Sequence, residues 1–178
     1  MPAMTETSPI ASGRVAIDDA AAYRRVLGHV PTSVAVVTAT GRSGRPVGMT
    51  VGSFTSVSLD PPLIAFFVDQ ASSTWPHLYA ADHFGVSILG HAQSELCRAF
   101  SRRSQDRFEG VDWHMSGLGV PLLSDAIVTL ECTRAKIDLI GDHYQVVGRV
   151  EAMELRAPNP PLIFLQGGFV DMADRSAS

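Results

Sequence analysis

Arg102, Arg103 and Arg107 form the only dense basic run in this chain, three arginines within six residues. That spacing suits a single phosphate held bidentately; the plainer alternative is a solvated loop face. Upstream, Ser72-Ser73-Thr74 precedes Trp75-Pro76, a pattern that starts a short helix. The hydroxyls there either cap the helix or, together with its free first-turn N–H groups, hold an anion. Gly141-Asp142 is turn chemistry, and His143 directly after it sets an imidazole at the start of a strand, where a ligand can meet it. The richest stretch runs from Gly48 to Pro62. Its odd positions are mostly apolar (Val47, Met49, Val51, Val57, Leu59), whereas Gly48, Thr50, Gly52, Ser56 and Ser58 are tiny or hydroxylated. A strand alternates its side chains between faces, so one face reads as core. The other reads as a shallow shelf on which a flat polar ligand could lie against the backbone.

Elements of the right kind surround these residues. Asp18 caps a short helix through Leu27, closed by Gly28. Ser33 to Ala39 is a β-branched strand, and the turn-forming Thr40 to Pro46 returns it as a hairpin into the Gly48 stretch. Asp60-Pro61-Pro62 stops that strand, and Leu63 to Asp69 is a third, well-buried one. A short helix to about Ala81, a strand over Phe84 to Leu89 and helical spacing at Leu96, Cys97 and Phe100 follow. Arg102 to Ser124 reads as a long irregular loop. Two long strands, Ala126 to Ile140 and His143 to Leu155, precede a last strand over Pro161 to Val170. About seven strands and three short helices, with hairpins and no βαβ alternation, predict a mainly β, largely antiparallel barrel.

The bulk properties exclude several classes. The chain has 178 residues, 46% hydrophobic and 18% charged, which suits one domain with a sizeable core. We expect residues 17–172 to form that domain, 1–16 a disordered lead-in and 173–178 a flexible tail. A net charge of −4 and a pI near 5.8 argue against a nucleic-acid footprint. Cys97 and Cys132 stand far apart without a CxxC, as small core residues of a reduced chain do. Leu63 to Val68 is a strand-length apolar run, and the N-terminus lacks the marks of a signal peptide, so the expected location is cytoplasmic, away from the membrane. The six histidines lack metal-ligand spacing, and no phosphate-loop, zinc-protease or nucleophile-elbow motif occurs.

Taken together, the residues resemble the short-chain flavin reductase family, from about Tyr23 to Val170. The resemblance is carried by Pro31 to Thr38, Gly48 to Leu63, Phe84 to Leu89, Asp106 to Val111, Gly141-Asp142-His143, Pro161 to Phe164 and Gly167-Gly168-Phe169. It implies an FMN-binding split barrel of Greek-key type. It further implies a homodimer that reduces FMN or FAD with NADH or NADPH and supplies reduced flavin, by diffusion, to a partner monooxygenase. Carried over, Met49, Thr50, Val51, Gly52 and Ser53 would hold the isoalloxazine edge, largely through backbone, with Thr32, Ser33 and Ser56 close by. Ser73, Thr74 and Arg107 would take the phosphate end, and Gly141, Asp142 and His143 would meet the nicotinamide. Two positions depart from the family's common pattern: Gly52 stands where many relatives carry serine, and Ser87 where many carry asparagine. Hydride transfer to flavin N5 needs no nucleophile or strong acid, which agrees with the lack of a catalytic triad or carboxylate pair. A non-catalytic flavin-binding protein, and an FMN-bound reductase acting directly on an organic substrate, are the alternatives on the same barrel.

Overall fold

In the computed structural model, residues 13–15, 17–102, 106–156 and 159–170 are described. The expected lead-in over 1–16 and tail over 173–178 fall almost wholly outside them. Asp19, one residue later than expected, caps helix α1 (Ala20–Leu27), its carboxylate accepting from the N–H groups of Ala21 and Ala22 at 2.8 and 3.1 Å. Strands β1 (Thr32–Ser33), β2 (Ala35–Thr40) and β3 (Pro46–Val51) follow, the last two forming the predicted hairpin. The chain then breaks at Gly52 and resumes as β4 (Thr55–Leu59), turns through the cis Asp60–Pro61 bond, and returns as β5 (Pro62–Asp69). Helix α2 (Trp75–Tyr79), β6 (His83–Ile88) and α3 (Ser94–Ser101) come next.

The stretch predicted as one loop after α3 contains a small hairpin, β7 (Trp113–Met115) and β8 (Pro121–Leu123). Strands of three residues are too short to show a period, so the sequence pattern passes over them. The long pair β9 (Val128–Ile140) and β10 (His143–Leu155) agrees with expectation. The predicted final strand is instead a hairpin, β11 (Ile163–Leu165) and β12 (Gly168–Val170). Its two-residue loop, Gln166-Gly167, has φ of 51° and 82°, the positive pair that a tight hairpin turn demands. The described residues therefore hold twelve strands rather than about seven.

Seven of the strands make one antiparallel sheet in the order β3-β2-β6-β9-β10-β5-β4. β6 returns to pair with β2 after β3, β4 and β5 have left it, which gives the Greek-key connection. The sheet curls until its edge strands are neighbours in the chain, joined through Gly52-Ser53-Phe54. Ser53 helps to close the seam: its hydroxyl accepts from Phe67 N–H at 2.8 Å and lies 3.3 Å from the Phe67 carbonyl. The result is a mainly β split barrel.

The barrel has a core on each side of β2, which explains the unbroken apolar run there. Ala35, Val37 and Ala39 point inward with Val51, Phe66, Phe84 and Leu130. Val36 points outward, beneath Phe100, Leu123 and Leu162. Gly85 lets β8 approach, since a Cβ there would lie 2.8 Å from the Pro121 carbonyl, to which the Thr38 hydroxyl also donates. The alternation predicted through Leu59 ends at the break: Val57 and Leu59 are exposed, not core. The irregular Gly52–Phe54 segment restarts the pleat, and a bulge falls between Ser56 and Ser58 on this edge strand. No helix of the described residues is long and apolar enough to cross a membrane.

Candidate functional site

β3 is the last strand of its sheet, so one of its edges carries backbone groups outside the ladder. The Gly48 carbonyl is one, accepting from Arg107 Nη1 at 2.7 Å. Backbone direction repeats every second residue, so the groups of Thr50 point to the same edge. Met49 and Val51 turn toward β2, opposite Val37 and Ala35, with the Val51 side chain in the inner core. A ligand on this edge would therefore meet the backbone of Gly48 and Thr50, whereas the backbone groups of Met49 and Val51 are turned into the ladder with β2.

A cavity of about 380 Å³ opens at the Gly48 end, lined by Arg45, Ser73, Thr74, His77 and Arg107 among others. Arg107 is fixed from two sides: Nε donates to the Arg102 carbonyl at 2.8 Å, and Nη1 also donates to Thr74 Oγ1 at 2.7 Å. Burial pulls its guanidinium below the ordinary arginine value. Thr74 sits at the N-cap position of α2, yet its hydroxyl makes no capping bond and faces Arg107 instead. Plain capping thus does not account for Thr74. Ser73 is exposed at the cavity mouth. Among the described residues no carboxylate lines this cavity; Asp106 meets Arg45 beside it at 3.5 Å, between two exposed side chains. Cations and hydroxyls without a competing acid fit the phosphate of a flavin. Among the described residues Arg102 meets Arg107 through its carbonyl, and Arg103 lies outside them.

The small face of β3 is more covered than a shelf would be. Helix α3 lies on it: a Cβ at Gly48 would come within 2.9 Å of the buried Phe100 ring, and Thr50 donates to the Cys97 carbonyl at 3.2 Å. What stays open is a cleft of about 460 Å³ at the far end, between β3, α3 and the β11–β12 hairpin. Thr32, Thr50 and Gly52 line it, with Arg98, Phe164 and Phe169 opposite. Arg98 stands over the Phe169 ring at 5.6 Å, and burial pushes the Cys97 thiol up. A Cβ at Gly52 would lie 3.1 Å from Thr32 Oγ1, so glycine here leaves room for that hydroxyl. An aromatic and aliphatic cleft with a few hydroxyls fits a flat ring. Ser33 and Ser56 line neither cavity, and Ser56 is exposed on β4.

Gly141, at φ +63°, turns β9 into β10. His143 Nδ1 lies 2.7 Å from Asp142 Oδ1, and this hydrogen bond holds the Asp142 carboxyl below its usual range. The turn is tied to the loop after β5, where Gln70 donates from Nε2 to the Gly141 carbonyl and from N to the Asp142 carbonyl, both at 3.1 Å. That loop continues past Ser72, whose hydroxyl reaches Met49 Sδ at 3.8 Å, into Ser73 and Thr74. His143 is thus on the rim that carries the cationic cavity, though it lines neither cavity. Arg45, His77 and Arg98 are contributors that the sequence motifs do not single out. Phe164 and Phe169 fall within the motifs that carry the resemblance, which give them no role; they flank the Gln166-Gly167 turn with ring centroids 5.7 Å apart.

Comparison with known proteins follows the same lines. Residues 27–173 match the family model described as a flavin reductase like domain. The chain is 38% identical over 147 residues to a flavin reductase of Pseudomonas putida, covering 83% of this chain and 86% of that protein. It is 35% identical over 153 residues to the reductase subunit of a flavin-dependent monooxygenase of Mycobacterium tuberculosis, covering 85% of this chain and 81% of the relative. Among solved structures, an NADH:FAD oxidoreductase of Streptomyces globisporus, in complex with NAD and FAD fragments, superposes with a TM-score of 0.87 at 36% identity. The match covers 93% of this chain and 99% of that one.

Proposed function

The chain belongs to the flavin reductase family, and from that premise we infer that it is an NAD(P)H-dependent flavin reductase supplying reduced flavin to a partner monooxygenase. The observation that carries the site assignment is the Arg107 guanidinium held between Thr74 Oγ1 and the Gly48 carbonyl, in a cavity without carboxylates at the free edge of β3. Arg107, Ser73 and Thr74 take the flavin phosphate. The free edge at Thr50 and the Gly52-Ser53 break after the strand read the isoalloxazine ring through backbone, with the ring toward the Thr32, Thr50 and Gly52 cleft, while Met49 and Val51 hold that edge from the β2 side. Bound flavin supplies the redox chemistry, accepting a hydride from the reduced nicotinamide at N5. The protein's own part is to position the two rings and to exclude neither from exchange with solvent. His143, oriented by Asp142, holds the nicotinamide, and the open groove suits a flavin that leaves after reduction.

The remaining parts of the proposal are a homodimer, a cytoplasmic location and transfer of reduced flavin by diffusion. Exposed Leu59, Met153 and Leu155 support the dimer, because they gather at one end of the sheet, where β10 runs on past the start of β5. The deciding assay measures oxidation of NADH and of NADPH with FMN, FAD and riboflavin each added free. Turnover that depends on added flavin is expected. His143→Ala should raise the nicotinamide KM roughly tenfold, the cost of about 1.4 kcal/mol of binding. Stoichiometric flavin binding without nicotinamide oxidation would instead establish a non-catalytic flavin carrier.

A further inference from the structure

The cationic cavity does not end at Arg107. A second cavity of about 450 Å³ opens on the other side of α2 and shares His77 with it. Its lining is Arg42, Trp75, Pro76, Tyr79 and Tyr144 beside that histidine, again without a carboxylate. In a chain of net charge −4, the described residues lining the two adjoining cavities include Arg42, Arg45, Arg107 and His77 and no acid, with Asp106 paired to Arg45 beside them. Arg42 makes no ion pair or hydrogen bond among the described residues. The two cavities thus meet at His77 of α2, one lined by Arg45 and Arg107 and the other by Arg42, along a helix whose five residues span roughly 7–8 Å.

The walls of the second cavity are aromatic. Trp75 and Tyr144 stack with centroids 4.9 Å apart and an interplanar angle of 25°, and Tyr79 meets Trp75 edge-on at 5.5 Å. Trp75 is buried, so the stack is rigid, while Tyr79 is 54% exposed and offers ring surface. A cationic channel that leads from a phosphate site to an aromatic pocket has the chemistry of a nucleoside diphosphate: charge for the pyrophosphate and ring surface for the base.

We propose that the Arg42–His77–Tyr79–Tyr144 cavity receives the adenylate half of FAD, so that this reductase takes FAD in preference to FMN. The proposal rests on the assignment of the flavin phosphate to Arg107, Ser73 and Thr74, from which the second phosphate reaches past His77. An adenosine diphosphate moiety also occurs in NADH, and continuity with the flavin phosphate cavity assigns it here to FAD.

Calorimetric titration of the full chain with FMN and with FAD, for wild type, Arg42→Ala and Tyr79→Ala, tests it. Arg42 is exposed, and Tyr79 is more than half exposed though its ring packs edge-on against Trp75 and beneath Arg134, so far-ultraviolet dichroism and the melting temperature check that each variant keeps the fold. Wild type should bind FAD at least about tenfold more tightly than FMN. Tyr79→Ala should lower FAD affinity by roughly 5- to 100-fold, as loss of one base-stacking partner does, and leave FMN within twofold. Equal affinities for the two flavins in wild type, or variants that weaken both alike, would overturn this proposal and leave the flavin reading standing. Binding of neither flavin would overturn both. A rise in the NADH KM of the variants with FAD affinity unchanged would move the adenosine site to the nicotinamide cofactor and sink the assignment.

Discussion

Arg107 joins three parts of the chain that lie far apart in sequence: the carbonyls of Gly48 and Arg102, and the hydroxyl of Thr74. Its type and its neighbours in a basic run mark it as a phosphate candidate, but which arginine of the run serves cannot be read from spacing. We propose Arg107 for the phosphate because its guanidinium is drawn between β3 and the residue before α2, whereas Arg102 meets it through its backbone carbonyl. Arg107→Ala should weaken FMN binding by about 10- to 100-fold, the worth of charge-assisted phosphate bonds. Riboflavin, which lacks the phosphate, should bind the variant within threefold of wild type; equal losses for both ligands would show that Arg107 merely props the groove. Cys132 illustrates the opposite case of a group with chemistry on paper and none in place. Burial, with Glu151 and Glu131 nearby, pushes its thiol up to about 12, so it stays protonated and inert as a packing group.

At the scale of elements, the stretch from Gly48 shows how a correct period can carry an incomplete meaning. Its alternation does place Met49 and Val51 inward and Gly48 and Thr50 outward, and the strand forms where predicted. The outward face is small chiefly because α3 lies on it, with Phe100 where a Gly48 side chain would be. Gly48→Ala should therefore destabilise the protein by about 1–3 kcal/mol through overpacking, read as a lower urea midpoint at unchanged m-value. Wild-type stability in this variant would mean that α3 can move off the strand. The exposure of Val57 and Leu59 has the same kind of cause: alternation holds only within one unbroken pleat, and Gly52 to Phe54 breaks it.

For the whole molecule, the exposed apolar residues at one end of the sheet are the feature a lone barrel does not explain. Leu59, Met153 and Leu155 are 94%, 79% and 74% exposed. Light scattering coupled to gel filtration should give twice the 19.1 kDa chain mass, and Leu59→Asp with Met153→Asp should give the single-chain mass; a monomeric wild type would remove the dimer from the proposal. The sequence by itself determined the antiparallel barrel and its hairpins at Thr40 to Pro46 and Gly141-Asp142, which follow from period and turn chemistry, local properties of a chain. The residues proposed for the phosphate, ring and nicotinamide come from the family motifs. Only the tertiary structure decided that α3 roofs the small face of β3, that Ser53 closes the barrel seam through Phe67, and that Arg45 and His77 join Arg107. These are contacts between elements many residues apart, set by how a curled sheet brings its edges and covering helices together, and no periodicity along the chain encodes them.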